Sequence, residues 1–360
     1  MKQKILYFSH VQWDWIKQRP QFIAEELNKK YNVTVVCRKG YSTNDTKNDT
    51  NIIIKSFFRL PFERFGIISK INLLIARFQA KKIINKYDII WLTYPDQYKY
   101  VKGLCNSKTI IYDCMDDMLE FITDPLKKEK LRLIESKLIK TASINFCSSE
   151  YLKNKLCKRY GDNEIFVINN AIKDDIAEKR LPLTENLASL FNAHKDKKII
   201  TYIGTISEWI DTELIVKIVE RHNDVIVFLF GPLRMELQKH KRIIYCGSVN
   251  HDVILSIMES SDLLIMPFIL NELILSVNPV KLYEYIYSGT PCLAPRYGES
   301  EPFMPFVSLY NNHDECMELI NKYLGGQINV LDKSACVEYA MNNTWKHRVE
   351  TMFSIMSTRI

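Results

Sequence analysis

The side chains best placed for chemistry lie in the segment N-P-V-K-L-Y-E-Y-I-Y-S-G, which begins at Asn278. Asn278 is a favoured helix-capping residue, Pro279 suits a first helical position, and Gly289 suits a helix end, so this segment predicts a short helix. The free amides and the dipole at its start attract anions, above all phosphates. Lys281 and Glu284 are three residues apart and share one helix face. Together they could bind the diphosphate and the ribose hydroxyls of a nucleotide.

This segment resembles the donor-binding segment of the GT-B glycosyltransferases, in particular their retaining family 4. In that family a glutamate before a short A-x-G-x-P-V motif binds the ribose, and Glu284 before S-G-T-P-C matches it. The first glutamate of the family's E-x7-E pattern would fall at Ser276, so that half of the pattern is missing. The resemblance implies that Lys281 stabilises the leaving diphosphate without a metal ion. An ordinary capped helix with a solvated Lys281 and Glu284 is the open alternative.

Loops after predicted strands in the second half supply further donor-binding candidates. In open α/β sheets ligands bind at the carboxyl ends of the strands, and a glycine there lets the backbone approach a phosphate. The family's basic phosphate-binding residues are replaced here by Glu208 and Asp211, which shifts this role toward Lys281 and the helix amides. With Asn278, Lys281 and Glu284, the resemblance implies a nucleotide site at Gly204, Thr205, Gly231, Arg234 and Val249.

The loop after the first predicted strand, S-H-V-Q-W-D-W, is unusually rich in aromatic and polar residues. Sugar rings stack on tryptophans, and carboxylates accept hydrogen bonds from their hydroxyls. The run W-D-x-x-x-Q-R-P-Q resembles the opening of enzymes that build bacterial surface polysaccharides of the teichuronic acid, O-antigen and capsule type. We expect His10 to be a catalytic polar group. We expect acceptor binding by Trp13, Asp14, Trp15 and Arg19. The alternative is that the tryptophans cap the core and Arg19 pairs with an acid.

A second polar loop, D-C-M-D-D, follows the predicted strand 109–112. Three carboxylates so close together repel one another, which raises some of their pKa values. We expect Asp113 and Asp116 to be catalytic and Asp117 to bind the acceptor. The spacing does not match the metal-binding D-x-D of the other large glycosyltransferase fold, so no metal is predicted. A solvated acidic loop that caps the next helix is the alternative.

Composition predicts a cytoplasmic globular protein with more than one core. Its 360 residues, 47% apolar and 25% charged, suit two domains of about 150–180 residues each. No signal peptide is predicted, and the apolar run 263–270 is shorter than the ~20 residues that span a bilayer. The nine cysteines include no C-x-x-C pair, which predicts reduced thiols and no zinc site. The chain contains no G-x-G-x-x-G, no Walker motif and no G-x-S-x-G.

Short apolar runs alternate with amphipathic segments along the whole chain, a pattern typical of parallel sheets covered on both faces. Helices are predicted at 18–29, 67–86 and 127–140. We expect an α/β protein of the GT-B fold, with two Rossmann-like, doubly wound domains facing a central cleft. The expected parts are an acceptor-binding domain at 1–172, a linker at 173–197, a nucleotide-sugar-binding domain at 198–340 and a returning C-terminal helix at 341–360. Strands are predicted at 4–8, 33–37, 88–92, 109–112, 144–147, 165–168, 198–203, 225–230, 243–246, 263–266, 290–294 and 307–309.

Positive charge is concentrated in the first half, where residues 1–180 carry a net charge of +12 and residues 181–360 carry −5. The segment 59–86 contains seven basic residues and one acid. Its apolar side chains fall on one helical stripe, and Lys70, Arg77 and Lys81 fall on another. This pattern predicts a helix that rests on an anionic membrane surface. A core-packed helix with a charged outer face is the equal alternative.

These features favour a glycosyltransferase at the inner face of the cell membrane. It would move a sugar from a nucleotide diphosphate, with UDP the commonest in the family, to a lipid-linked or growing polysaccharide. Retention of configuration is implied by the resemblance alone. A nucleotide-sugar epimerase of the same fold and a non-catalytic partner in polysaccharide assembly are the alternatives. Nucleic-acid binding is disfavoured because the basic residues alternate with aliphatic rather than stacking aromatic side chains.

Overall fold

The computed structural model describes residues 2–14, 17–37, 52–62, 65–105, 107–327 and 331–359. Trp15 lies outside these ranges. The chain divides into two compact units, Met1–Asn169 with Trp345–Ile360, and Asn170–Thr344. Within the described ranges, every helix is too short or too polar to cross a lipid bilayer.

The first unit contains a seven-stranded sheet in which every neighbouring pair of strands is parallel. The strands are β1 Lys4–Phe8, β2 Asn32–Val36, β3 Ile53–Lys55, β4 Ile89–Leu92, β5 Thr109–Cys114, β6 Ile144–Cys147 and β7 Ile165–Val167, in the order β3-β2-β1-β4-β5-β6-β7. Its first helices are α1 Arg19–Lys30, α2 Gly66–Ile84, α3 Tyr98–Val101, α4 Pro125–Thr141 and α5 Glu150–Tyr160, with a 3-10 turn at Pro95–Gln97.

The second unit contains a six-stranded parallel sheet, in the order β10-β9-β8-β11-β12-β13. The strands are β8 Lys198–Ile203, β9 Val225–Phe230, β10 Ile243–Gly247, β11 Leu263–Ile265, β12 Cys292–Pro295 and β13 Ser308–Tyr310. The helices are α6 Glu185–Ala193, α7 Thr212–Arg221, α8 Ile254–Glu259, α9 Glu272–Leu275, α10 Val280–Ser288, α11 His313–Leu324 and α12 Lys333–Met341. Short 3-10 turns lie at His251–Val253 and Glu301–Phe303.

The predicted strands are all present, with boundaries that differ by at most two residues. Central strands such as β4 and β9 are buried at every position, because helices cover both faces of each sheet. The short strand β3, with the pattern I-I-K, was not predicted. Both sheets have the Rossmann order, with β7 added at the end of the first sheet. The α/β fold class is therefore confirmed.

Two predicted segments differ from the structure. Residues 185–193, within the predicted linker, form α6, whose start is capped by Thr184 and whose Phe191 packs in the core of the second unit. The predicted C-terminal helix at 341–360 starts later, as α13 Trp345–Arg359, since α12 ends at Met341. Helix α13 packs on α1 within the first unit, with the rings of Trp345 and Phe22 stacked at 5.2 Å.

Candidate functional site

Two glycines at strand ends shape the second unit's candidate site. Gly204 follows β8 with φ +151°, and Gly231 follows β9 with φ +132°, conformations that only glycine adopts without strain. A Cβ at Gly231 would lie 2.1 Å from Gly204 O, and a Cβ at Gly204 would lie 2.1 Å from Lys281 Cε and 2.8 Å from Lys281 Nζ. Glycine at position 204 therefore lets the ammonium group of Lys281 lie directly against the backbone at the end of β8.

The amino group of Lys281 lies in a poorly hydrated place. The residue lies in the first turn of α10, and Nζ is 5.9 Å from the ring centroid of Phe268. Burial lowers the pKa of Lys281, and the nearby carboxylate of Glu284 opposes this shift. In the part of the chain that the structure describes, Nζ has no hydrogen bond or ion pair. Its donors are therefore available to an anionic ligand.

Asn278 does not cap α10, so this part of the prediction was wrong. The cap position is Pro279, and no side chain caps the first turn. Asn278 is buried and binds Asn170 instead: Oδ1 accepts from Asn170 N at 3.0 Å, and its carbonyl accepts from Asn170 Nδ2 at 2.9 Å. The interaction fixes the loop before the helix. The left-handed end of the helix at Gly289, with φ +73°, is confirmed.

Glu284 lies one turn beyond Lys281 and contacts a histidine that the sequence reading missed. Its Oε1 is 3.2 Å from His251 Nε2, and His251 Nδ1 is 3.2 Å from Lys173 Nζ. The Glu284 side chain is 16% exposed and lines a small pocket with His251 and Lys173. The only sequence signal for His251 is its position shortly after β10, in a loop where ligands bind in open α/β sheets.

The other predicted donor-binding residues lie near the ends of β8, β9 and β10. Thr205 follows Gly204, and its carbonyl accepts from Tyr202 OH at 2.9 Å. Arg234 is exposed, and its backbone N donates to Ile206 O at 2.8 Å, which brings the β8 and β9 loops together. Val249 is partly buried and packs against the core of the second unit. Asp211, by contrast, caps α7 and contacts His313 at 2.7 Å.

In the first unit, His10 lines a cavity of about 940 Å³ at the carboxyl ends of β1 to β4. Burial lowers the pKa of His10 to about 4, although Asp113 opposes the shift, so the ring is neutral at pH 7. Its Nδ1 is 2.8 Å from Thr93 Oγ1. The loop after β4, P-D-Q-Y-K-Y, supplies part of the lining that the sequence reading missed. The polar and aromatic lining residues include Gln12, Arg59, Tyr94, Asp96 and Tyr100.

The structure separates the residues predicted around His10. Gln12 lines the cavity, whereas Trp13, which is half-buried, and Asp14, which is exposed, are not part of its lining. Arg19 and Asp113 are buried and bind each other: Nη2 donates to Asp113 Oδ1 at 2.7 Å, and Nη1 donates to Ile168 O at 2.6 Å. The alternative in which Arg19 pairs with an acid is thus the arrangement observed. This pair ties the ends of β5 and β7 to the start of α1.

The two other aspartates of the D-C-M-D-D loop have opposite environments. Asp117 is buried and accepts from Arg159 at 2.7 Å and Lys155 at 3.1 Å; burial raises its pKa, but these partners outweigh burial and lower it. Asp116 is half-buried and has no hydrogen bond or ion pair from its carboxyl group to any described residue. Burial raises the pKa of Asp116 to about 6, against the opposing charge of Arg19. Asp116 is therefore the carboxyl group left available for a ligand. Across the described ranges, no group of three or more His, Cys, Asp or Glu residues is placed to hold a metal ion.

The two Rossmann-order parallel sheets and the glycine-lined ends of β8 and β9 define the GT-B glycosyltransferase fold. No family model matches the chain. Among curated proteins it is similar to TuaH of Bacillus subtilis (strain 168), named as a candidate teichuronic acid biosynthesis glycosyltransferase, with 22% identity over 249 residues. That match covers 64% of this chain and 61% of TuaH, so the chain spans less than two thirds of its curated relative.

Solved structures match over almost the whole chain. HepE of Anabaena, solved with UDP and glucose, has a TM-score of 0.71 and 13% identity over 99% of this chain and 100% of HepE. Sucrose-phosphate synthase of Thermosynechococcus elongatus has a TM-score of 0.70 and 14% identity over 99% of each chain. At these identities the comparison establishes the fold, and the predicted GT-B fold is confirmed.

Proposed function

We propose that this protein is a glycosyltransferase that moves a sugar from a UDP-sugar to a lipid-linked or growing surface-polysaccharide acceptor, with retention of configuration. The observation that carries the proposal is the Nζ of Lys281, which lies against the backbone of Gly204 and makes no hydrogen bond or ion pair with a described residue. A desolvated cation beside the uncapped start of α10 suits a pyrophosphate. UDP in the HepE structure and the name of TuaH support the choice of donor and product class.

On the donor side, Lys281 and the first amides of α10 would stabilise the negative charge on the departing diphosphate. Electrostatic stabilisation of this kind commonly contributes more to catalysis than any other single effect. Glu284 would accept hydrogen bonds from the ribose hydroxyls in place of its contact with His251. Thr205 and Arg234 would contact the phosphates, and the loop that carries Val249 would contact the base.

On the acceptor side, we assign the cavity beside His10 to the sugar that receives the new bond. His10 would accept a hydrogen bond from one of its hydroxyls, because its Nε2 has no described partner. Asp116 does not line this cavity, and its predicted catalytic role stays a proposal supported by its half-buried carboxyl group, which binds no described residue. Arg19, Asp113 and Asp117 would support the loops rather than contact the acceptor, since their charged groups are already paired. The predicted contacts of Trp13, Asp14 and Trp15 with the acceptor stay a proposal.

Ligand-induced thermal stabilisation tests the donor assignment. UDP at 100 times its dissociation constant should stabilise the protein by about 2.7 kcal/mol. Lys281→Ala should remove most of this effect at the same UDP concentration, whereas Lys322→Ala, an exposed lysine of α11, should leave it intact. No stabilisation by UDP, GDP or ADP would contradict the proposal. Sugar epimerisation without an acceptor would favour the epimerase alternative.

We also propose that α2 rests on the anionic inner face of the cell membrane. This helix buries Asn72, Ala76, Ala80 and Ile84, and exposes Ile67, Leu74 and Phe78 by 77%, 67% and 59%. An exposed apolar stripe flanked by lysines suits a bilayer interface, with the lysines at anionic headgroups. This pattern disfavours the core-packed alternative. The flanking exposed lysines are Lys70, Lys81 and Lys82.

Arg77, one residue of the predicted basic stripe, makes hydrogen bonds within the protein. Arg77 donates to the carbonyls of Lys99 and Lys102 at 2.7 and 3.1 Å, so it ties α2 to the end of α3. Phe62, 63% exposed, lines the His10 cavity and lies shortly before α2 in the chain. The membrane surface and the acceptor cavity are therefore neighbours within the first unit. A lipid-linked acceptor fits this arrangement.

Vesicle co-sedimentation tests the membrane assignment. The protein should bind vesicles with anionic lipid more strongly than neutral ones, and Leu74→Asp should abolish this binding. Leu126→Asp is the matched control, because Leu126 is also exposed, at 74%, but lies at the start of α4. Equal losses in the two variants, or no preference for anionic lipid, would contradict the proposal.

A further inference from the structure

Thr93 follows strand β4, is almost fully buried at 1% exposure, and contacts His10 through its hydroxyl. Its Oγ1 donates to Phe8 O at 3.0 Å, since a carbonyl can only accept. The same oxygen accepts from His10 N at 3.1 Å and lies 2.8 Å from His10 Nδ1. One hydroxyl therefore has three close polar neighbours.

The proton count decides how these contacts are made. A hydroxyl has one proton and two lone pairs. The proton is directed at Phe8 O, and the backbone N–H of His10 occupies one lone pair. An unprotonated Nδ1 would compete with Phe8 O for the single proton, and one of these two close contacts to Oγ1 would then contain no proton. A protonated Nδ1 satisfies all three contacts, because it donates to the second lone pair.

We infer that Thr93 is a positioning residue, which holds His10 as the Nδ1–H tautomer and leaves its Nε2 lone pair free for the acceptor hydroxyl. In the described part of the chain Nε2 has no hydrogen-bond partner, and His10 lines the cavity of about 940 Å³. The role of Nε2 toward a hydroxyl rests on the proposed function. The tautomer itself follows from contacts within the protein.

Neighbouring contacts keep Thr93 and the His10 ring in place. The backbone N–H groups of Thr93 and Tyr94 both donate to Gln97 Oε1, at 2.9 and 3.0 Å. The Tyr94 ring lies 5.7 Å from the His10 ring. Because burial keeps the ring neutral at pH 7, one of its nitrogens is always unprotonated. In the Nδ1–H tautomer this unprotonated nitrogen is Nε2. A nitrogen that accepts a proton or a hydrogen bond must be unprotonated.

Nitrogen NMR of the full chain, labelled with ¹⁵N at its histidines, tests the inference directly. The His10 resonances are assigned by their loss in His10→Gln. At pH 7.5 we expect a protonated Nδ1 and an unprotonated Nε2 in the long-range ¹H–¹⁵N correlation spectrum. A protonated Nε2 in the wild-type protein would overturn the inference. This measurement needs no substrate and no folded variant of Thr93.

Two variants separate positioning from packing. Thr93→Ser keeps the hydroxyl and should keep both the tautomer and a transfer rate within about twofold of wild type. Thr93→Val keeps the shape, and should mix the tautomers and lower kcat about 10- to 100-fold, which reaches the lower limit of the ~10²- to 10⁴-fold effects of general acid–base catalysis. An unchanged tautomer in a folded Thr93→Val would also overturn the inference. If Nδ1–H is found but no sample transfers sugar from UDP-sugars, the proposed function fails while the tautomer assignment stands.

Discussion

The contact between Gly204 and Lys281 yields a quantitative prediction for Gly204→Ala. The new methyl group would lie 2.1 Å from Lys281 Cε, so the lysine side chain must move. Loss of a charge-assisted hydrogen bond to a phosphate costs about 1.5–3 kcal/mol, which weakens UDP binding about 10- to 100-fold. Alanine at φ +151° is also strained, at a cost to stability of about 1–3 kcal/mol.

A double-mutant cycle separates the two effects. Lys281→Ala alone should weaken UDP binding by the same factor, about 10- to 100-fold. When Gly204→Ala is added to Lys281→Ala, the dissociation constant measured by calorimetry should rise less than about threefold further, because the lysine is no longer there to displace. The thermal midpoint should fall in both backgrounds, because the strained backbone and the 2.8 Å approach to Tyr202 OH remain.

Gly161→Ala is the matched control. Gly161 has φ +88°, but a Cβ there meets no atom within 4 Å, and it lies in the first unit. It should lower the thermal midpoint and leave UDP binding unchanged. The reasoning would be refuted if Gly204→Ala weakened UDP binding equally with and without Lys281. UDP affinity within twofold of wild type in Lys281→Ala would refute the role of that lysine.

Three further predictions address other groups of the site. Transfer activity should fall below about pH 6, since Asp116, whose pKa is raised to about 6, can accept a proton only when it is ionised. Asp116→Asn should lower the rate about 10- to 100-fold and remove this acid limb from the pH–rate profile. Arg19→Met should destabilise the first unit by about 3–5 kcal/mol in urea unfolding, because it leaves Asp113 charged and buried, and Arg19→Met with Asp113→Leu should recover part of the loss. Glu284→Gln should weaken uridine and UDP by equal factors in calorimetry, since its proposed contact is with the ribose; a loss confined to UDP would contradict that contact.

Local sequence predicted the sheets and the position of the proposed donor site. Apolar runs such as V-I-V-F-L-F predict buried parallel strands because burial on both faces needs no alternation of side chains. The loops that follow those strands were predicted to bind ligands, because the carboxyl ends of parallel strands lie on one edge of the sheet. The position of Lys281 and Glu284 on one helix face follows from a spacing of three residues.

Tertiary structure decided which polar side chains are free and which are paired. Asp113 and Asp116 are the same residue type in the same short segment. Asp113 binds Arg19, 94 residues away, whereas the carboxyl group of Asp116 has no described partner. Likewise, Asn278 does not cap α10, because its side chain binds Asn170, 108 residues away. On α2, the helical period of the sequence could not tell that Asn72, Ala76 and Ala80 are buried while Ile67, Leu74 and Phe78 are exposed. Local patterns fix backbone conformation, whereas these choices depend on partners that only the folded chain brings within hydrogen-bonding or packing distance.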